Sequence, residues 1–175
     1  MQNIMLDLET MSTRSNATIV AIGAVKFDAV SGITDTFYEN IDLSSCLAKG
    51  LHVDGGTVMW WMKQSDAARL QLTQGAKPLR DVLKSFLSWL GKDNMQIWGN
   101  GAAFDNVILR KAYGAFNMHE PWPYISDRCF RTIKSSYSTL DLKFEGVKHN
   151  ACDDAKHQAL YLLQLVKTHN LTKLL

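Results

Sequence analysis

Residues 18–27, TIVAIGAVKF, form a nearly continuous apolar run rich in β-branched side chains. A run of this length and composition reads as a central strand buried on both faces. The sheet that holds it must then be covered by other layers on both sides. Residues 4–9 are short and apolar and lead into the turn-rich stretch 12–16. Residues 35–41 alternate loosely and carry Thr36, Phe37 and Tyr38, which predicts a third strand after a turn at Gly32. The short connections favour an antiparallel meander. Helices then dominate. Segments 57–62 and 65–73 predict two short ones, the second with Ser65 as N-cap. Segment 78–90 is the clearest, with Leu79, Val82, Leu83, Phe86, Leu87 and Leu90 in phase, Pro78 at its start and Gly91 past its end. A short buried strand follows at 95–98. Helix 104–116 should bury Phe104, Val107, Ile108, Ala112 and Ala115. A loop at 121–123 leads to segment 127–136, which reads as helical. The last helix, 153–169, has Ala155, Ala159, Leu162, Leu163 and Val166 in phase. The result is an α/β sheet with an antiparallel first half and at least one parallel crossover.

At 175 residues the chain fits one domain spanning 1–175, large enough for a core without disulfides. No apolar run approaches the roughly 18 residues of a membrane span, and the N-terminus lacks the basic and cleavable pattern of a signal peptide. Cys46, Cys129 and Cys152 are widely spaced and match no zinc pattern. A reduced, cytoplasmic setting is expected. The net charge of +2 provides no general field for nucleic acid, so an anionic partner would have to be gripped locally.

Three pieces carry chemistry. Asp7 and Glu9 are two residues apart in a strand, so both point away from the face of Ile4, Leu6 and Leu8. Their repulsion calls for a cation between them, and oxygen ligands suit Mg²⁺ or Mn²⁺. Taken alone, a D-x-E triplet arises by chance about 0.6 times in a chain of this length. Asp105 follows the Gly99-Asn100-Gly101 turn, in the first turn of a helix at the carboxyl edge of the sheet. An acid there also serves simply to complement the helix dipole. Asp154 opens the last helix, on the edge shared with Gln158 and Tyr161, while Asp153 is the better cap. His149 precedes it on a loop, with an ordinary pKa near 6.5 that suits a general base. Each piece alone is matched by a bland reading.

Their order is more specific. DLETMS, WGNGAAFDN and HNACDDAKHQAL together resemble the DEDDh branch of the DnaQ-like 3′–5′ exonuclease superfamily, across nearly the whole chain. TVMWWMKQSDAAR and DRCFRT bring the pattern near the phage exodeoxyribonuclease A (DexA) group and its bacterial exoribonuclease-like relatives. The resemblance implies an RNase H-like fold with a mixed five-stranded sheet, flanked by helices and antiparallel over its first three strands. It places metal ligands at Asp7, Glu9, Asp105 and Asp154 and the base at His149. It implies two Mg²⁺ ions, replaceable by Mn²⁺, and hydrolysis from the 3′ end of single-stranded DNA to 5′-mononucleotides. RNA ends are the alternative substrate, and a homodimer is compatible with the resemblance although no motif identifies an interface. A module that binds nucleic acid without cutting it is the rival class, and loss of one of the five residues would have favoured it. Met11 and Ser12 follow the D-x-E-T, and Asn100-Gly101-Ala102 stands where relatives carry a histidine-asparagine pair. Thr10, Met11, Trp60, Trp61, Asn100 and Phe104 are the candidate substrate contacts. Core packing is the plainer reading of both tryptophans; the alternative is that one stacks a base while the other packs. Lys134, Lys143 and Lys148 are candidate phosphate contacts, though solvated lysines look the same. Met59 and Met62 are expected in the core.

Overall fold

The computed structural model describes residues 2–92, 94–137, 140–171 and 173–175. Strands β1 (Gln2–Thr10), β2 (Ile19–Asp28) and β3 (Gly32–Asn40) form the antiparallel meander. Short helices α1 (Leu43–Leu47), α2 (Gly55–Trp61) and α3 (Asp66–Gln71) lead to α4 (Leu79–Leu90). Then come β4 (Met95–Gly99), α5 (Asp105–Ala115), β5 (Asp127–Cys129), α6 (Phe130–Ser135) and α7 (Ala151–His169). The sheet order is β3-β2-β1-β4-β5, and β4 runs parallel to both β1 and β5. None of the described helices is long and apolar enough to cross a membrane.

Strand alternation divides the core in two. Ile4, Leu6, Leu8 and Ile97 pack against Val82, Leu83 and Phe86 of α4 and Ile108 and Leu109 of α5. Met5, Val25, Phe27 and Trp98 face Ala155, Ala159, Leu162 and Leu165 of α7 on the other side. Each such large side chain contributes about 1.5–3 kcal/mol of burial. Helix α4 starts at Pro78 and stops at Gly91, whose φ of 82° only glycine adopts without strain. Ser65 caps α3, accepting from Ala68 N–H.

Several expectations shift. Segment 127–136 is not one helix: its first three residues pair with β4 as β5, and the helix starts at Phe130. Three residues are too few for a period to show. Gly32 opens β3 rather than lying in the turn, which Asp28 closes by accepting from Val30 and Ser31 N–H at 2.8 and 2.7 Å. Leu87 is exposed and is not part of the buried stripe. Helix α5 buries Leu109 and Tyr113, with Val107 and Ala115 only half-buried. It is turned because Asp105 and Asn106 are drawn inward, Asn106 Nδ2 donating to Ile97 O at 3.0 Å. Tyr113 also donates to Leu83 O at 2.8 Å. Met59 and Met62, expected in the core, are each 60% exposed, because the short α2 turns only Trp61 fully inward.

Candidate active site

β4 pairs with β1 only as far as Leu6, opposite Gly99. The chain then turns away into α5, and the next free β1 amide, Leu8 N–H, donates to Asp105 Oδ1 at 3.2 Å. The helix thus ends the ladder with a carboxylate where a strand would have continued. Gly99 makes this approach possible: a Cβ there would lie 2.5 Å from Asn106 Oδ1 and 3.2 Å from Asp105 Oδ2.

On the other side, Asp7 lies opposite Gly23 of β2. A Cβ on Gly23 would meet Ala151 C at 2.1 Å and Cys152 N at 2.2 Å. The missing side chain lets the first turn of α7 rest on the sheet beside Asp7. Asn150 caps this helix, accepting from Cys152 and Asp153 N–H at 3.0 Å each. Asp153 is therefore not the cap; its Oδ2 accepts from Val147 N–H at 3.0 Å. Asp154 points inward as expected and accepts from His149 N–H at 2.8 Å. One turn later Gln158 donates from Nε2 to Asp7 Oδ1 at 2.7 Å.

His149 has a left-handed backbone, with φ of 65°. That conformation folds its amide back onto Asp154 while its ring turns to the tryptophans. The ring meets Trp60 edge-on at 4.9 Å and Trp61 at 6.1 Å. A donor atom from each of Glu9, His149 and Asp154 lies within 4.8 Å of the others. Trp61 is buried and donates to Thr10 O at 2.9 Å, whereas Trp60 is 44% exposed. Core packing therefore takes Trp61 but leaves the Trp60 ring partly exposed.

Glu9, Thr10, Trp60, Trp61 and Phe104 line one cleft of 450 Å³, a volume in the range of small-molecule sites. Leu8, Thr13, Asp54, Gly56 and Thr57 complete its wall. Met11 and Asn100 are not among its lining residues. Met11 is engaged through its backbone, accepting from Asp54 N–H at 2.7 Å, and Asn100 accepts from Arg131 Nη2 at 2.6 Å. Lys134 lies over the Tyr161 ring at 4.7 Å, and Lys143 and Lys148 are exposed.

Burial dominates the electrostatics. Burial and the charges of Asp105, Glu9 and Asp154 push the Asp7 carboxyl well above the usual range. Glu9 is pushed up to about 8 by burial and by Asp154 and Asp105. Asp105 rises to about 7 by burial, against the pull of the Leu8 N–H and the Arg131 charge. Burial also raises Asp154. None of the ion pairs among the described residues involves these four acids. Their visible partners are neutral N–H donors. Crowded carboxylates that make no ion pair among the described residues fit hard divalent ions.

The model of the 3′–5′ exoribonuclease Rv2179c-like domain matches residues 2–166. The chain belongs to this family. It is a 3′–5′ exonuclease domain. No curated protein matches it significantly. Among solved structures it is similar to the nuclease domain of 3′hExo bound to rAMP, with a TM-score of 0.66 at 13% identity over 95% of this chain and 92% of that one. It is similar to E. coli Exonuclease I in complex with a dT13 oligonucleotide, with a TM-score of 0.70 at 14% identity. That match covers 95% of this chain but 41% of the larger protein. It is also similar to cell-death related nuclease 4, with a TM-score of 0.65 at 14% identity over 95% of this chain and 64% of that one. At these identities the structures speak for the fold.

The sequence motifs singled out the acids as candidates but not the residues that support them. Gly23, Gly99 and Gln158 shape the site from across the fold. Of these, only the Gly99-Asn100-Gly101 turn and the shared helical edge of Asp154 and Gln158 left a trace in the sequence.

Proposed function

We propose that this exonuclease domain is metal-dependent and removes 5′-mononucleotides one at a time from the 3′ end of single-stranded RNA. The observation that carries the reading is the meeting of Glu9, Asp154 and His149 beside a cleft that Glu9 itself lines. Asp7, Glu9, Asp105 and Asp154 would hold two Mg²⁺ ions, with Mn²⁺ as substitute. When bound, such ions neutralise the scissile phosphate and lower the pKa of water.

The chain's own groups do the rest. The cleft receives the terminal nucleotide, with Trp60 available to stack its base. His149, anchored through its amide to Asp154 and backed by Trp60, takes the proton from the attacking water. The water oxygen bonds to phosphorus and the P–O3′ bond breaks. The released nucleotide keeps its phosphate on the 5′ side, and the shortened strand gains a new 3′ hydroxyl.

The family description supports RNA. Single-stranded DNA is the second reading, favoured by the sequence motifs resembling the exodeoxyribonuclease A group. The deciding experiment uses 3′- and 5′-labelled RNA and DNA oligomers of one sequence, with Mg²⁺, Mn²⁺ or EDTA. The expected result is stepwise shortening from the 3′ end, lost in EDTA and faster on RNA. Faster cutting of DNA selects the second reading, and cutting that survives EDTA overturns the metal assignment.

A further inference from the structure

Gln158 sits on α7 one turn beyond Asp154 and is only 7% exposed. Its Nε2 donates to Asp7 Oδ1 at 2.7 Å, across 151 residues of chain. Its Oε1 is buried and has no partner among the described residues. A buried amide with half its hydrogen bonding unmet costs about 1–3 kcal/mol. An apolar residue of the same size would avoid that cost. The amide at this position is thus poorly explained by packing, and its one polar contact is to a site acid.

The choice of donor is informative. A lysine or arginine in this place would orient Asp7 equally well but would neutralise it and compete with any cation from solution. A neutral amide fixes the direction of the carboxylate and leaves its charge available. The same device recurs at Asp105 and Asp154, where the donors are the amides of Leu8 and His149. Those two are backbone groups that any sequence supplies. Gln158 is the one side chain in the set, so it is the one that substitution can remove cleanly.

We propose that Gln158 is a positioning residue that holds Asp7 in its metal-ligating orientation and thereby sets the affinity of the site for divalent cations. The assignment rests on the metal-dependent reading above. Loss of a hydrogen-bonding partner behind a ligand typically weakens metal binding by about 10–100-fold.

The test compares the wild type with Gln158→Leu and Gln158→Met, which keep volume and remove the donor. Mn²⁺ binding is read by titration calorimetry, thermal stability in EDTA is read alongside, and rates are followed against Mg²⁺ concentration. The expected result is a Mn²⁺ affinity lowered by about 10–100-fold in both variants. Oligonucleotide KM at saturating metal should not move, and the melting temperature in EDTA should be unchanged or higher. A role confined to structure would instead lower stability in EDTA and leave the Mn²⁺ midpoint in place, which overturns the proposal. If the wild type itself binds no Mn²⁺, the metal-dependent reading fails and this assignment falls with it. If Gln158→Leu does not fold, Gln158→Met decides.

Discussion

Asp105 and Asp127 flank the same short stretch of α5, and the fold treats them in opposite ways. Asp127 receives both terminal nitrogens of Arg110, at 2.7 and 2.9 Å, together with Trp122 Nε1 at 2.9 Å and Asn106 Nδ2 at 2.8 Å. This acid is saturated by donors, a cation among them. Asp105, one residue before Asn106, receives a backbone amide of β1, and the nearby Arg131 spends its guanidinium on the carbonyl of Asn100. An acid used as mortar is neutralised inside the protein. Asp105 is oriented by a neutral amide and makes no ion pair among the described residues, so its crowding with Asp7, Glu9 and Asp154 is an electrostatic cost to the fold.

This contrast can be broken at several points. The largest effect is expected at the acids proposed to hold metal. Asp7→Ala or Asp154→Ala should abolish nucleotide release while the melting temperature in EDTA holds or rises, since a repelling charge is gone. Full activity in either variant would end the ligand assignment. His149→Ala should slow turnover by on the order of 10²–10⁴ while Mn²⁺ binding stays intact. Calorimetry on the same preparation separates the two claims.

Asp127→Ala should behave as the mirror image of the proposed metal acids. It leaves Arg110 without its main partner and should cost about 1.5–3 kcal/mol of stability, measured by denaturant unfolding. A variant that unfolds like the wild type would remove the distinction drawn here.

The pH response offers a finer probe. Glu9 ionises near 8 in the folded protein, against about 4.3 in an unfolded chain. A folded-state pKa raised in this way gives stability that is whole below about pH 4 and is lost as pH climbs towards 8. The melting temperature in EDTA should therefore fall across this window. Saturating Mg²⁺ should restore it more at pH 8 than at pH 5. A flat EDTA profile would mean that the acids are not coupled as described. The smallest effect is expected at Asp153, which bonds Val147 N–H and reaches Lys156 at 3.5 Å. Asp153→Ala should leave the rate nearly unchanged; a dead Asp153 variant beside a live Asp154 variant would shift the ligand register by one.

Features that depend only on neighbours along the chain are legible before folding. The period of two in β1 puts Asp7 and Glu9 on one face and Leu6 and Leu8 on the other. The helical period and its stop signals give α4 from Pro78 to Gly91 and the inward edge of α7 that carries Asp154. Tertiary structure decided what depends on distant partners. β5 is only three residues long and exists because β4 pairs with it. Helix α5 is turned by Asp105 and Asn106 reaching for β1 and β4. Trp60 and Trp61 both line the cleft, and they differ because Trp61 finds Thr10 O and is buried whereas Trp60 stays exposed. Gly23 looks like one more small residue in an apolar strand until Ala151 is seen against it. Periodicity is a local signal, whereas the hydrogen bond from Gln158 to Asp7 joins two residues whose neighbours say nothing of each other until the chain is packed.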